Sequence, residues 1–568
     1  MQSENKNCQN CKKDFVIEED DFSFYEKMKV PPPTFCPECR LQRRLAWFNL
    51  VNLFHRNCDL CGEKFISMYP SEAKYTVFCA PCWWSDKWSW QDYGRDYDFS
   101  RPFFEQWNEL LHKAPLLGLS INSTTTVGSP YNNHANDLKD CYLTFNTDFN
   151  QECAYGTSIT HSRESFNSSM IMECDTCFDT ACLYKSHKVV GMRGNNRFCV
   201  DSAFLRDCEN CSDCFMCANL KNKKYCYKNQ QLTREEYLEV KKNYDLGSYK
   251  GYREAKNEAE IFWKTLPPLP ILMVMSTNCT GSYVFESKNC QECYDVAGCE
   301  DCKYCMSLWR APQKNCYDVS SFGNNIENAY EAGVAGLGAS NIKFCQESGI
   351  NLFDAEYCKI CLVGNSLFGC VGVHKGEYAI FNKQYTKEDY LILVDKIKKH
   401  MDEMPYTDKK GNIFKYGEFF PLEVAPFPYN ITFANLFYPK TKDEIESAGS
   451  TFFPEEQKDH TITKKAEELP EHIKDAEDNV LKEVIECQSC KKGFRVIEME
   501  LRFLRKMNLP LPRTCPFCRI NEKLNLWVDN MKLKDRICDA CGIEFRTHYG
   551  KERAPKIFCK KCYQQEVY

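Results

Sequence analysis

The chain has 568 residues, a formal net charge of −6 and 38 cysteines. That length allows several domains, and the cysteine count is far above that of an ordinary cytosolic enzyme. No apolar run approaches the roughly 20 residues that a membrane-spanning helix needs, and the start, MQSENKNCQNCKKDF, is too polar for a secretory signal, so a cytoplasmic protein with reduced thiols is expected.

The first element is a series of C-x-x-C pairs. CQNC (Cys8, Cys11), CPEC (Cys36, Cys39), CDLC (Cys58, Cys61) and CAPC (Cys79, Cys82) follow one another. The series returns near the end as CQSC (Cys487, Cys490), CPFC (Cys515, Cys518), CDAC (Cys538, Cys541) and CKKC (Cys559, Cys562). The step from Cys11 to Cys36 equals that from Cys490 to Cys515, and the step from Cys61 to Cys79 equals that from Cys541 to Cys559. Two thiolates three positions apart on a tight turn reach one ion at about 2.3 Å, and two such pairs close a tetrahedral shell. Each end therefore reads as two structural zinc ribbons, residues 1–50 and 51–91 and then 486–530 and 531–568, with one zinc ion in each. Iron is the first alternative, although iron–sulfur runs crowd three cysteines into a short stretch; disulfides are the second. Neighbouring pairs are expected to share an ion rather than alternate in a cross-braced order, because the polar stretch between Cys39 and Cys58 reads as a linker.

Next comes a tryptophan-rich segment, with Trp83, Trp84, Trp88, Trp90 and Trp107 interleaved with Lys87, Arg95 and Arg101. Such a pattern can stack on bases or sugars. The preferred reading is a cap and linker helix, residues 92–117, that packs the second ribbon onto the first repeat of the middle region.

The middle region keeps a twelve-residue beat: Cys141 to Cys153, Cys199 to Cys211, Cys290 to Cys302 and Cys358 to Cys370, with Ser165 between Cys153 and Cys177. A fixed short period means stacked supersecondary units. Short apolar runs such as CYLTFN and CYDVAG, set off by Asn, Asp and Gly, suggest a mainly β fold: a parallel β-solenoid, right-handed and β-helix-like, in two halves, residues 118–229 and 276–383. Twelve residues are taken as half a turn of a broad helix. The cysteines are read as small buried hydrophobes that stack from one repeat to the next; metal or redox chemistry at pairs such as Cys208-Cys211-Cys214-Cys217 is the rival, and it needs a turn, since a strand sends i and i+3 to opposite faces. The halves end alike: Tyr225, Asn229 and Thr233 answer Tyr378, Asn382 and Thr386. Each Thr opens a capping box, with Glu236 and Asp389, that starts a helix. A helical insert spans 230–275 and a capping helix 384–404; residues 405–485 read as an aromatic, proline-rich wrap followed by an acidic tether.

Charge divides the two ends. Met1 to Trp90 holds 12 basic and 12 acidic residues, while Glu486 to Tyr568 holds 18 basic and 10 acidic. Only the C-terminal module is a candidate polyanion binder, through Lys491, Lys492, Arg495, Arg502, Arg505, Lys506, Arg513 and Arg519. Catalytic signals are absent: there is no G-x-S-x-G, no H-E-x-x-H and no P-loop. The leading reading is a zinc-binding, non-enzymatic scaffold or interaction protein with a protein or nucleic-acid partner and no identified small-molecule substrate. A groove enzyme or carbohydrate binder, and a thiol redox or metal-storage protein, are the alternatives.

The first ribbon resembles a small zinc-ribbon family in Cys8, Cys11, Phe15, Phe24-Tyr25-Glu26-Lys27, Pro31 to Pro33, Cys36, Cys39 and Arg40. The third matches less fully, with Phe503-Leu504-Arg505-Lys506 in place of the Tyr-Glu part. That resemblance implies local pairing of the ligands. The whole chain looks like large cysteine-rich, zinc-ribbon and β-solenoid proteins of candidate-phyla bacteria, in WWSDKW, DYGRD, DFSRPFFEQ and FNKQYTKE. This implies a family and no activity.

Overall fold

The computed structural model describes residues 2–308, 312–323, 328–454 and 461–567. The chain is strand-rich, and its middle region forms curled parallel sheets, one of nine strands and others of seven and five. Register is set by the beat seen in the sequence: Tyr142 pairs with Ala154, Ser169 with Ala181, and Leu367 with Ala379. Twelve residues thus carry the chain to the adjacent parallel strand, and the half-turn reading, which would pair every second repeat, does not hold.

The physical device behind this register is a left-handed residue at every third position. From His134 to Lys188 each third residue has φ between 44° and 61°, with His, Asp, Leu, Phe, Glu and Tyr among the occupants. Such a conformation is costly for residues with a Cβ. Parallel-ladder hydrogen bonds offset that cost: the N–H of Glu152 donates to Lys139 O, that of Asn167 to Ala154 O and that of Asp179 to Phe166 O, all near 3 Å. Each bend also turns i and i+3 to the same side. This is why Cys208, Cys211, Cys214 and Cys217 are all buried in one core, where a straight strand would alternate them. After Gly191 and Gly194 the interval stretches by one residue to Phe198, and the bridges Val190–Ala203 and Arg193–Arg206 shift register to match.

Cysteine and serine share one role inside the sheets. Cys141, Cys153 and Cys177 donate from Sγ to the carbonyl two residues back, each at 3.5 Å, and Ser165 Oγ does the same to Arg163 O at 3.0 Å. Ser165 pairs in register with Cys177 and is fully buried, so it does stand in the cysteine column. Burial pushes the Cys153 and Cys177 thiols well above their ordinary value, and that of Cys199 up to about 12. They stay protonated and able to donate.

Both sheets end alike. Asn382 accepts from Val371 N and donates to Val371 O, each at 2.8 Å; Asn229 does the same with Ala218 at 2.9 Å. The following Thr233 and Thr386 cap the helices Arg234–Lys242 and Lys387–Glu403.

The chain forms two compact units, each made of two separated pieces: Met1–Leu119 with Met273–Pro454, and Ser120–Leu272 with Glu455–Tyr568. The N-terminal cysteine modules therefore pack on the second repeat half, and the C-terminal modules on the first. The tryptophan segment follows the same rule, against the expectation that it caps the first half. Trp90 Nε1 donates to Lys375 O and Trp107 Nε1 to Tyr357 O, and Trp83, Trp84 and Trp88 surround His374. The aromatic wrap is also packed: Phe420 meets Trp47 and Trp107 at 4.8 and 4.2 Å between ring centroids. The expected acidic tether is packed from Ala466 onward, with Leu469, Ile473, Val480 and Ile485 buried in the second unit.

Within the first unit the module is held by a buried ion cluster. Arg40, one residue after Cys39, donates from Nε to Asp318 at 2.9 Å; Arg43 pairs with Glu331 at 2.8 Å and Glu418 at 3.1 Å; and Arg44 pairs with Asp318 and Glu331 at 3.4 and 3.6 Å. Arg40 and Arg44 are each 1% exposed. Removing one partner of such a buried pair leaves a charge with neither water nor counter-ion, at a cost of about 3–5 kcal/mol. Arg40→Met is expected to lower stability by that order in urea unfolding followed by tryptophan fluorescence; a loss below about 1 kcal/mol, the size of an exposed pair, would show that the cluster does not hold the module.

Candidate metal centres

Four groups of cysteines converge: Cys8/Cys11/Cys36/Cys39, Cys58/Cys61/Cys79/Cys82, Cys487/Cys490/Cys515/Cys518 and Cys538/Cys541/Cys559/Cys562. In each, all four Sγ atoms lie within 4.8 Å of one another. Neighbouring pairs therefore come together, as the local pairing expected, and the cross-braced order is not formed. These are the only such groups found among the described residues, so the sheet cysteines do not assemble a comparable set.

One local build recurs in all four. The residue after the second cysteine is left-handed: Lys12, Gly62, Lys491 and Gly542 have φ of 61°, 78°, 63° and 74°. Its N–H returns to the carbonyl of the first cysteine at 2.8–3.0 Å, and this closes the turn. The second C-x-x-C begins at a helix start: Cys36, Cys79 and Cys515 are the N-cap residues of Pro37–Leu45, Ala80–Trp83 and Pro516–Asn530. The backbone N–H of the third cysteine then points at the sulfur of the first, Cys36 to Cys8 and Cys79 to Cys58 at 3.3 Å, Cys515 to Cys487 and Cys559 to Cys538 at 3.2 Å.

These N–H groups favour thiolate over thiol. Burial opposes ionisation at Cys58, Cys487 and Cys538, yet backbone N–H bonds win and bring them down to about 7, 7 and 6. Metal ligands must be deprotonated, so the fold prepares these sulfurs for an ion. S···S contacts between the two pairs of a group include 3.7 Å for Cys11–Cys36, 4.0 Å for Cys61–Cys79, 3.7 Å for Cys490–Cys515 and 3.8 Å for Cys541–Cys559. A disulfide would bring two of them to about 2.05 Å; a tetrahedron with metal–sulfur bonds of about 2.3 Å has edges of about 3.8 Å.

The basic residues read as a nucleic-acid surface behave differently from that reading. Arg502, Arg505 and Lys506 pair with Glu152, Asp478 and Glu164 at 2.9, 2.7 and 2.6 Å. Arg513 is buried and donates to the carbonyls of Ala466, Leu469 and Pro470. Arg519 is buried against Glu500, Asn167 and the ring of Tyr155. Lys491, Lys492 and Arg495 are exposed. Five of these eight cations are thus held within the unit, four of them by carboxylates and Arg513 by carbonyls, partners that a linear charge count cannot see. The first unit's module is docked by Arg40, Arg43 and Arg44 with Asp318, Glu331 and Glu418; sequence reasoning named Arg40 only as part of a resemblance and missed the others. Their signal was present: an Arg follows C-P-x-C in both Cys36–Cys39 and Cys515–Cys518.

No helix among the described residues is long and apolar enough to cross a membrane. No family model matches the chain, and neither the curated proteins nor the solved structures include a match.

The two classes of cysteine make opposite predictions. Cys8→Ser is expected to lower bound metal by one equivalent per chain, since it breaks a closed set. Cys153→Ser keeps the hydrogen bond that Ser165 already makes and is expected to leave metal content unchanged. Mass-spectrometric metal analysis of both variants checks this, and equal loss in the two would remove the distinction.

Proposed function

We propose that the protein is a zinc-stabilised scaffold: two β-solenoid halves of twelve-residue turns, each clamped by a pair of four-cysteine zinc ribbons. The observation that carries this reading is the repeated four-sulfur set, with all four sulfurs within 4.8 Å of one another and one S···S contact in each at 3.7–4.0 Å. Tetrahedral all-thiolate sites suit zinc or iron–sulfur centres, and edges this short fit one ion rather than a cluster. All four thiolates are supplied by the protein, so no position is left for water or substrate and the ion is structural. Such an ion contributes about 10–16 kcal/mol to folding its module. A cytoplasmic, reducing setting agrees with the absence of disulfides among the described cysteines.

The scaffold reading is preferred over polyanion binding because five of the eight proposed contacts are held in ion pairs or buried. It is preferred over thiol redox chemistry because the sheet thiols are buried and donate to backbone carbonyls. Relation to the cysteine-rich proteins of candidate-phyla bacteria remains part of the proposal.

Full-length protein is expected to carry about four zinc ions per chain and to be colourless. Because Arg40, Arg43 and Arg44 tie a module to its sheet, chelation should loosen the sheets along with the modules, seen as one broad loss of protection in hydrogen exchange. A zinc content near zero, or visible absorbance from iron, would overturn the assignment.

A further inference from the structure

The two modules beginning at Cys8 and Cys487 keep the same cysteine spacing, which allows their docking contacts to be compared position by position. Phe24 stacks on Tyr317 at 3.8 Å, and its counterpart Phe503 stacks on Phe166 at 4.3 Å. Arg40 reaches Asp318, and its counterpart Arg519 reaches Asn167 at 3.0 Å, the residue after Phe166 as Asp318 follows Tyr317. Arg44 reaches Glu331, and its counterpart Lys523 reaches Asp179. The docking is the same, but the acids are not.

In the first unit the three arginines meet three carboxylates, Asp318, Glu331 and Glu418. Glu418 comes from the wrap and also accepts from the N–H and hydroxyl of Thr34. In the second unit Asp318 is replaced by neutral Asn167 and Arg519 pairs instead with Glu500; Arg513 stands at the position of Thr34 and Glu522 at that of Arg43. Arg513 spends its hydrogen bonds on carbonyls, and its nearest carboxylate, Glu471, is 4.0 Å away. Lys256 and Arg193 add two more cations around Asp179, at 2.8 and 3.0 Å.

A cavity of about 400 Å³ opens beside these groups, within the range of about 300–1,000 Å³ usual for small-ligand sites. Its lining includes five cations, Arg253, Lys256, Arg513, Arg519 and Lys523, against the carboxylates Asp179, Glu260 and Glu522. Tyr249, Tyr252 and Phe178 supply flat apolar walls, and Arg513 and Arg253 lie over the Tyr249 ring at 4.9 and 5.6 Å. Burial and the neighbouring Arg193 hold the Lys523 ammonium below its ordinary value, and burial does the same to Arg513. In the first unit, although burial opposes it, Asp318 raises Arg40 and Glu331 raises Arg43.

We propose that this cavity binds a small organic anion that carries a planar ring, its phosphate or carboxylate held by the cations of the lining. The ring lies against Tyr249 and Tyr252, and the anionic group meets Arg253, Lys256 and Arg513.

The test is isothermal titration of the zinc-loaded, full-length protein at low salt. Adenosine monophosphate is the phosphate probe, phenylpyruvate the carboxylate probe and adenosine the uncharged control. At least one anion is expected to bind, with adenosine at least tenfold weaker. Arg253→Gln, at an exposed residue, is expected to weaken the anion at least fivefold with the melting temperature of the free protein little changed; Lys256→Met, which also removes a partner of Asp179, is expected to weaken it at least fivefold with a lower melting temperature. Which anion binds tells phosphate from carboxylate. The proposal fails if neither binds at millimolar concentration, if adenosine binds equally well, or if both variants keep wild-type affinity.

Discussion

A left-handed residue at every third position is the constraint on which the rest of the structure depends. It sets the short interval between bends, and so the twelve-residue register. It also sends i and i+3 inward together, so that inward positions come often and in close succession, and large side chains cannot fill them all. The second sheet's core accordingly runs through Cys290, Val296, Cys299, Cys302 and Cys305. A bend of this kind leaves inner carbonyls able to take a second donor beside the ladder N–H, as Lys139 O accepts from both Glu152 N and Cys141 Sγ. Cysteine and serine meet both demands, small volume and a donor two residues on. The abundance of cysteine in the sheets is thus a matter of packing and hydrogen bonding, separate from its abundance in the modules.

A parallel stack of short strands has open edges. The modules answer this by covering the sheets rather than extending from them. Phe24 and Phe503 lie flat on sheet aromatics, and cations that follow the C-P-x-C turn reach buried carboxylates at left-handed positions, where Asp318, Glu331 and Asp179 all sit. The metal-binding turn and the docking cation are adjacent in sequence, so an ion that fixes the turn also fixes the aim of Arg40 or Arg519. Metal binding and sheet cover are in this way one event mechanically.

Much of this was legible in the sequence. The sixteen cysteines of the four sulfur sets were legible from spacing, because two thiols three residues apart on a turn can serve one ion; their local grouping was read from the polar stretch between Cys39 and Cys58 and from the zinc-ribbon resemblance. The repeat was legible because Cys141, Cys153, Ser165 and Cys177 mark one column directly. The equivalence of Asn229 with Asn382 and Thr233 with Thr386 also predicted a real structural match, down to the paired hydrogen bonds that close each sheet.

What stayed hidden depends on contacts between distant residues. The sequence order places the N-terminal modules next to the first repeat half, and only the complementarity of Arg40 with Asp318, 278 positions away, assigns them to the second. The same blindness misread the C-terminal charge: Lys506 and Arg502 count as free cations until Glu164 and Glu152 are brought beside them. The turn size was misjudged for a local reason. A twelve-residue register between adjacent strands comes with left-handed backbone at Leu143, Phe149 and Tyr155, residues whose intrinsic preference argues against it. The ladder bonds of a repeated stack supply what single residues would not choose, so the conformation belongs to the array and not to any one position in it.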